Sequence, residues 1–208
     1  MVPHRTPFFL PLLYPRLTWR IPTQAKELFL TFDDGPFPGP TDFVLDQLRA
    51  YSAKATFFCI GDNVRKHPDL FKRVVAGGHA TGNHTFNHMN GWKTELESYR
   101  SNVVKCDDAM ASIDEGYKPR LFRPPYGKIT RKQIVALTGY NIIMWDVLSV
   151  DYKKSLAPET CAQKTIRAIR PGSIILFHDS LKAEKNMRVA LPRVLDHFSA
   201  QGFVFKSL

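Results

Sequence analysis

From Leu28 to the C-terminus the chain alternates between short β-branched or aromatic runs and longer segments whose apolar residues recur at helical spacing. Few folds satisfy that pattern. The strand-like runs are Leu28–Phe32, Ala55–Ile60, Arg120–Phe122, Ile142–Trp145, Ser173–Phe177 and Phe203–Phe205. Between them, Phe43, Val44, Leu45 and Leu48 share one helical face, as do Leu70, Phe71, Val74 and Val75. The same spacing returns from Val103 to Ile113, from Ile134 to Leu137, from Cys161 to Ile169 and from Val189 to Phe198. Glycines at Gly77-Gly78, Gly116, Gly139 and Gly172 offer helix ends, where positive φ is common. Repeated strand–helix alternation predicts one α/β domain with a mainly parallel sheet. The alternation alone does not decide between a closed barrel and an open sheet.

The polar residues fall where such folds place their chemistry. Asp33 and Asp34 follow the first run, Arg123 follows Leu121-Phe122, Asp146 follows Trp145 and His178 follows Phe177. Each is expected just past the C-terminal end of a strand, the active-site end of barrel and open α/β enzymes alike.

Composition narrows the class. The 208 residues, 44% hydrophobic and 23% charged, suit one globular domain with a sizeable core. Cys59, Cys106 and Cys161 are odd in number and lack CxxC spacing, so they predict free or buried thiols and no disulfide frame. A net charge of +10 invites acidic partners, but the basic residues are scattered and no nucleic-acid-binding motif is present. A solvated basic surface without a nucleic-acid partner is the expectation. Residues 1–26 form a proline- and aromatic-rich segment set apart from a catalytic unit at 27–208. Pro11 and Pro15 interrupt its apolar stretch, and no small-residue cleavage site follows, so it does not match a secretory signal. No run approaches the roughly 18–20 apolar residues of a membrane span. A soluble cytoplasmic protein is therefore expected, with the N-terminal segment on the surface or against a membrane face. A precursor, an oligosaccharide or a lipid-linked intermediate suits that location better than mature cell wall.

Three motifs carry particular chemistry. In TFDDG (Thr31–Gly35), two adjacent carboxylates at a strand end repel unless one meets a cation or a base. Asp-Gly-Pro is also a turn signal in its own right. In GNHTFNH, His84 and His88 lie four apart, so both imidazoles can reach one metal from one side of a helical turn. With an Asp, they complete a three-ligand set that leaves a coordination position open. In RPPYG (Arg123–Gly127), two prolines stiffen a loop and leave the amides of Tyr126 and Gly127 available to an oxyanion. Two further segments, WDVLSVDY (Trp145–Tyr152) and LFHD (Leu176–Asp179), offer a histidine with carboxylates nearby, suitable for general acid work.

Taken in order, TFDDG, HTFNH, RPPYG, WDVLSVDY and LFHD resemble the five motifs of the polysaccharide deacetylases (carbohydrate esterase family four), from about Leu28 to the C-terminus. The resemblance implies a distorted (β/α) barrel with fewer than eight strands. It implies a divalent metal on Asp34, His84 and His88, zinc first, with cobalt, nickel or iron as alternatives. Asp33 would be the general base, oriented by Arg123, and the Tyr126 amide would hold the oxyanion. His178, polarised by Asp151, would be the general acid. Leu176, with Tyr152 and Pro125, would line the acetyl pocket. The implied reaction is hydrolysis of the acetamide of an N-acetylated sugar or oligosaccharide; an acetyl esterase, a related amidohydrolase or a silent carbohydrate binder on the same scaffold are the alternatives. The fourth motif departs from the family's Asp-x-x-Asp-Trp: Leu148 stands for the first acid and Tyr152 for the tryptophan. Asp146 is a second-tier substitute for that lost acid.

Overall fold

The computed structural model describes residues 3–118 and 120–208. In chain order the elements are α1 (Phe9–Leu13), β1 (Glu27–Asp33), α2 (Pro40–Ala50), β2 (Ala55–Cys59), α3 (Gly61–Lys66), α4 (Pro68–Ala76), β3 (Ala80–Asn83) and α5 (Leu96–Ala111). Then follow β4 (Leu121–Phe122), α6 (Arg131–Ala136), β5 (Asn141–Ile142), β6 (Val147–Leu148), α7 (Pro158–Ala168), β7 (Ile174–His178), α8 (Glu184–Ser199) and β8 (Val204–Phe205). Seven parallel strands curl in the order β5-β4-β3-β2-β1-β7-β6, and β8 adds a short parallel pair to β1. This is the distorted (β/α) barrel that the motif order implied.

β1 and β2 are buried on both faces, which is why they read as unbroken apolar runs. Phe32 stacks on Phe57 and Phe177, with ring centroids 5.1 and 6.1 Å apart. These rings join the packing of α2, α7 and α8 against the outside of the sheet. The barrel interior is a separate cluster that includes Phe29, Phe58, Ile143 and Ile174. The three cysteines are free and buried, as their spacing predicted.

The barrel closes through the stretch from Asn141 to Leu148. It begins as β5 beside β4 and ends as β6 beside β7. The sequence predicted one strand over Ile142–Trp145; Ile142 pairs with Phe122 and Ile143 N donates to Phe122 O at 2.8 Å, while Met144 and Trp145 lie outside the strands of the main sheet. Further pairing comes from the N-terminal segment: Met144 N donates to Thr18 O at 2.7 Å, Thr6 N to Asp146 O at 2.8 Å and Leu148 N to His4 O at 2.8 Å. Ile21 N also donates to Gly172 O at 2.9 Å. Gly172 takes φ +78°, and a Cβ there would lie 2.0 Å from Ile21 O, so the close approach needs glycine. Gly78 likewise adopts positive φ after α4, whereas Gly116 and Gly139, expected to do the same, do not.

Asp146 is corrected by this geometry. It precedes β6 and sits at the opening of β7, the far end from His178, where it accepts from Ser173 Oγ at 2.7 Å and pairs with Arg170 at 3.0 Å. Its role is structural.

Candidate active site

The site forms at the C-terminal ends of β1, β3, β4 and β7. On β1, Thr31 and Asp33 point to the same face because strand side chains alternate. That face meets Arg123, whose side chain is 0% exposed. Arg123 Nη1 donates to Asp33 Oδ1 and Thr31 Oγ1, both at 2.8 Å. Its Nε reaches Ile143 O at 3.1 Å and its Nη2 reaches Met144 O at 2.7 Å, while the guanidinium lies 4.2 Å over the Phe58 ring. Burial lowers the Arg123 pKa, and Asp33 works against that shift. A buried pair of this kind is costly to break, since the survivor stays charged without a partner. Arg123→Met is expected to lower unfolding free energy by about 3–5 kcal/mol. Adding Asp33→Asn to that variant should recover part of the loss; urea midpoints of the singles and the double check it, and strict additivity would contradict it.

Asp34 leaves the strand with φ 83°, in the left-handed region, and Asp33 Oδ2 and Asp34 Oδ1 each lie 3.7 Å from His84 Nε2. The turn is held from three sides. Asn63 Nδ2 donates to Asp34 O at 2.7 Å, Gly35 N donates to Asp179 Oδ1 at 3.0 Å and Thr41 Oγ1 donates to Asp179 Oδ2 at 2.6 Å. A Cβ on Gly35 would lie 2.0 Å from Asp179 Oδ2, so TFDDG carries glycine here for contact as well as for the turn. Burial pushes the Asp179 carboxyl up to about 8, with the Asp34 charge adding to the rise. Sequence reasoning passed over Asp179, although it closes the LFHD motif.

His84 and His88 do converge, but from a loop and not from a helical turn. Thr85 and His88 take φ 61° and 55°. Asn83 Oδ1 accepts from Thr85 N, Thr85 Oγ1 accepts from Met89 N, and Asn87 Oδ1 accepts from Asn102 Nδ2 on α5. These local side-chain bonds compete with helix formation. His84 Nδ1 lies 2.8 Å from Arg123 O, a carbonyl that can only accept, so this nitrogen carries the proton. Burial drives the His84 pKa down to about 3, with His88 adding to the fall, and burial also lowers His88. The neutral ring therefore presents a lone pair at Nε2.

That lone pair faces Asp34. Asp34 Oδ1 lies 3.7 Å from His84 Nε2 and 3.3 Å from His88 Nε2, and one ligand atom from each residue falls within 4.8 Å of the other two. Two neutral imidazoles and a carboxylate oxygen, gathered this closely, fit a divalent cation. Among the described residues this is the one such group.

Opposite stands His178. Both oxygens of buried Asp151 hold it: Oδ1 lies 2.7 Å from His178 Nδ1, and Oδ2 accepts from His178 N at 2.8 Å. Burial disfavours the imidazolium, but the Asp151 carboxylate, with Asp34 and Asp33 further off, outweighs it and raises the pKa to about 9. Asn186 Nδ2 in turn donates to Asp151 O at 2.9 Å.

A cavity of about 510 Å³ joins these groups. Asp33, Asp34, His84, His88, Tyr126, Tyr152, Leu176 and His178 line it, while Arg123 and Asp151 stand behind Asp33 and His178. Pro125 is buried and is not on the cavity wall. Trp145, Leu148, Gly127 and Lys182 are wall residues that the sequence did not single out for the pocket. Tyr126 sits at φ 60° in a tight turn. The Gly127 amide donates to Pro124 O at 3.0 Å, so it is not available as expected. The Tyr126 amide has no acceptor among the described residues. Asp34, His88, Tyr126 and Val150, beside Asp151, all adopt left-handed φ, a clustering of backbone strain typical of functional sites.

A barrel whose cavity gathers Asp34, His84 and His88 closely enough to hold a divalent cation, with a buried Asp–Arg pair and an Asp–His pair around it, suits a metal-dependent hydrolase. The sequence places it more narrowly: a profile of the polysaccharide deacetylase family matches residues 20–143, and the chain belongs to that family. A peptidoglycan-N-acetylglucosamine deacetylase of Bacillus cereus is 35% identical over 190 residues, spanning 90% of this chain and 68% of that protein. A chitooligosaccharide deacetylase of Bradyrhizobium sp. is 35% identical over 173 residues, spanning 82% of this chain and 78% of that one. Among solved structures, a peptidoglycan N-acetylglucosamine deacetylase in complex with 4-naphthalen-1-yl-N-oxidanyl-benzamide superposes with a TM-score of 0.89 at 32% identity, covering 98% of this chain and 95% of that one.

Proposed function

We propose that this chain is a metal-dependent N-deacetylase that hydrolyses the acetamide of N-acetylglucosamine units in a glycan. The observation that carries the reading is the cavity in which Asp34, His84 and His88 converge between Asp33 on one side and His178 on the other. Zinc suits two imidazoles and one carboxylate. On those ligands it would supply Lewis acidity, polarising a carbonyl oxygen and acidifying water.

The remaining work falls to the chain. Asp33, fixed by Arg123, takes a proton as water adds to the carbonyl carbon. The free Tyr126 amide donates to the oxygen that gains negative charge, a contribution typically worth about 3–4 kcal/mol. His178 gives its proton to the nitrogen as the C–N bond breaks, because an amide anion is a very poor leaving group. Acetate and a free amine result. Leu176, Leu148, Trp145 and Tyr152 form the apolar wall against which the acetyl methyl would pack. Leu148 thus stands where the family pattern has an acid, giving that wall a less polar lining. The relative named for chitooligosaccharide favours the oligosaccharide among the expected substrates, and the one named for peptidoglycan extends the range to the cell-wall polymer that the sequence reading had set aside.

The division of labour between neighbouring acids tests this reading. Asp33→Asn is expected to retain zinc and lose roughly 10²–10⁴-fold in acetate release. Asp34→Asn is expected to lose zinc itself. Identical metal titrations and rates for the two variants would reject the assignment.

A further inference from the structure

Four large apolar side chains lie exposed together at α1, outside the catalytic cavity. Phe8, Phe9, Leu12 and Leu13 are 83%, 47%, 74% and 63% exposed, and all belong to α1 or its first flank. Val135 on α6 continues the patch at 58%. Between the two lies a cavity of about 250 Å³ whose lining includes Leu13, Leu17, Ile134 and Val135 together with Arg16 and Arg131. Both arginines are exposed, as is Lys132 beside them, and none of the three pairs with a carboxylate among the described residues. The patch is anchored: Arg5 bonds to Ala168 O, and the segment's backbone bonds close the barrel seam.

We propose that α1 and the adjoining face of α6 dock on an anionic phospholipid bilayer, with the α1 side chains entering the acyl boundary and Arg16 and Arg131 meeting lipid phosphate. Aromatic and leucine side chains beside basic residues are the makings of an interfacial anchor. Among the described residues no helix is long and apolar enough to cross a membrane, so the contact is with one surface. Charge argues for lipid over a second copy of the chain. A two-fold pairing would bring like patches together and set unpaired arginines facing each other, on a chain already at +10. Anionic headgroups answer those charges instead. The other side of α1 contributes Leu10, and its end Tyr14, to a groove that shares Tyr126, Gly127, Trp145 and Leu148 with the catalytic cavity. Docking would therefore set the mouth of that cavity close to the lipid surface.

Cosedimentation of the full chain with phosphatidylcholine vesicles, with and without phosphatidylglycerol, tests this without reference to catalysis. The wild type should partition onto the anionic vesicles, and less so as salt rises. Phe8→Ser with Leu12→Ser should weaken partitioning roughly tenfold or more, since both side chains are mostly apolar area lost from the anchor. Arg16→Gln with Arg131→Gln should weaken it roughly fivefold per charge and remove much of the preference for anionic lipid. Hydrogen exchange on the wild type provides a readout that needs no variant: amides of α1 should slow when vesicles are added. The proposal fails if the wild type does not bind anionic vesicles, or if it binds and α1 exchange and the Phe8/Leu12 variant are unaffected. It fails equally if the patch proves to join two copies, seen as a dimer that the serine variant dissociates.

Discussion

His178→Ala is expected to cut acetate release by roughly 10²–10⁴-fold, the usual worth of a positioned acid, with metal content unchanged. The acid must carry its proton to act. Its pKa of about 9 means that the protonated form dominates at neutral pH and is lost as the pH rises through that value. A divalent cation on the three ligands would pull the value down, since like charges repel. The alkaline limb of the pH–rate profile should therefore lie above the ordinary histidine value and no higher than about 9. Asp151→Asn removes the main cause of the rise and leaves burial, which acts in the opposite sense. Its alkaline limb should move to lower pH, so that the variant loses more activity at pH 8 than at pH 6. Pro-rata loss at every pH would assign Asp151 a merely structural role. A limb that survives in His178→Ala and follows the identity of the metal would remove His178 as the titrating acid.

His84→Ala and His88→Ala should each weaken zinc binding by at least roughly 100-fold, because even residues that only support a metal ligand typically cost 10–100-fold when lost. Turnover should fall in parallel. The His84 variant has a second consequence, since its Nδ1 also bonds to Arg123 O, the residue that holds Asp33. Added zinc should therefore restore His88→Ala more fully than His84→Ala. Elemental analysis beside acetate release checks both points, and full zinc occupancy in either variant would break the ligand assignment.

Much of this was legible in the sequence because parallel strands buried on both faces leave continuous apolar runs, as at Leu28–Phe32 and Ala55–Cys59. Where pairing depends on distant chain, it was not. The stretch around Met144 takes its hydrogen bonds from Thr18 and Thr6, more than 120 residues away, and β6 is too short to have a signature of its own. The bonds that tie the N-terminal segment to the rest of the chain left no sign for the same reason: they run mainly to the seam around Ile142–Leu148 and to Ala168, Pro171 and Gly172. Asp33, Asp34, Arg123 and His178 were visible as polar residues at the ends of apolar runs. Asp146 fitted that rule too, and misled, because the strand it adjoins starts there. The spacing of His84 and His88 anticipated that their rings converge, yet the helical turn that suggested it is absent; side-chain bonds from Asn83, Thr85 and Asn102 do the placing. Asp179 was visible as the last residue of LFHD, but its role was not, since that depends on the side chain Gly35 lacks.

Metal-dependent hydrolysis of an N-acetyl group is measured most directly as acetate release by the wild-type chain on N-acetylglucosamine oligomers and peptidoglycan fragments, before and after removal of metal. Chelator-stripped protein should release no acetate, and zinc should restore release with one new amine for each acetate. Acetate release that persists in stripped protein, or none from any of these glycans with zinc, cobalt, nickel or iron bound, would contradict the account.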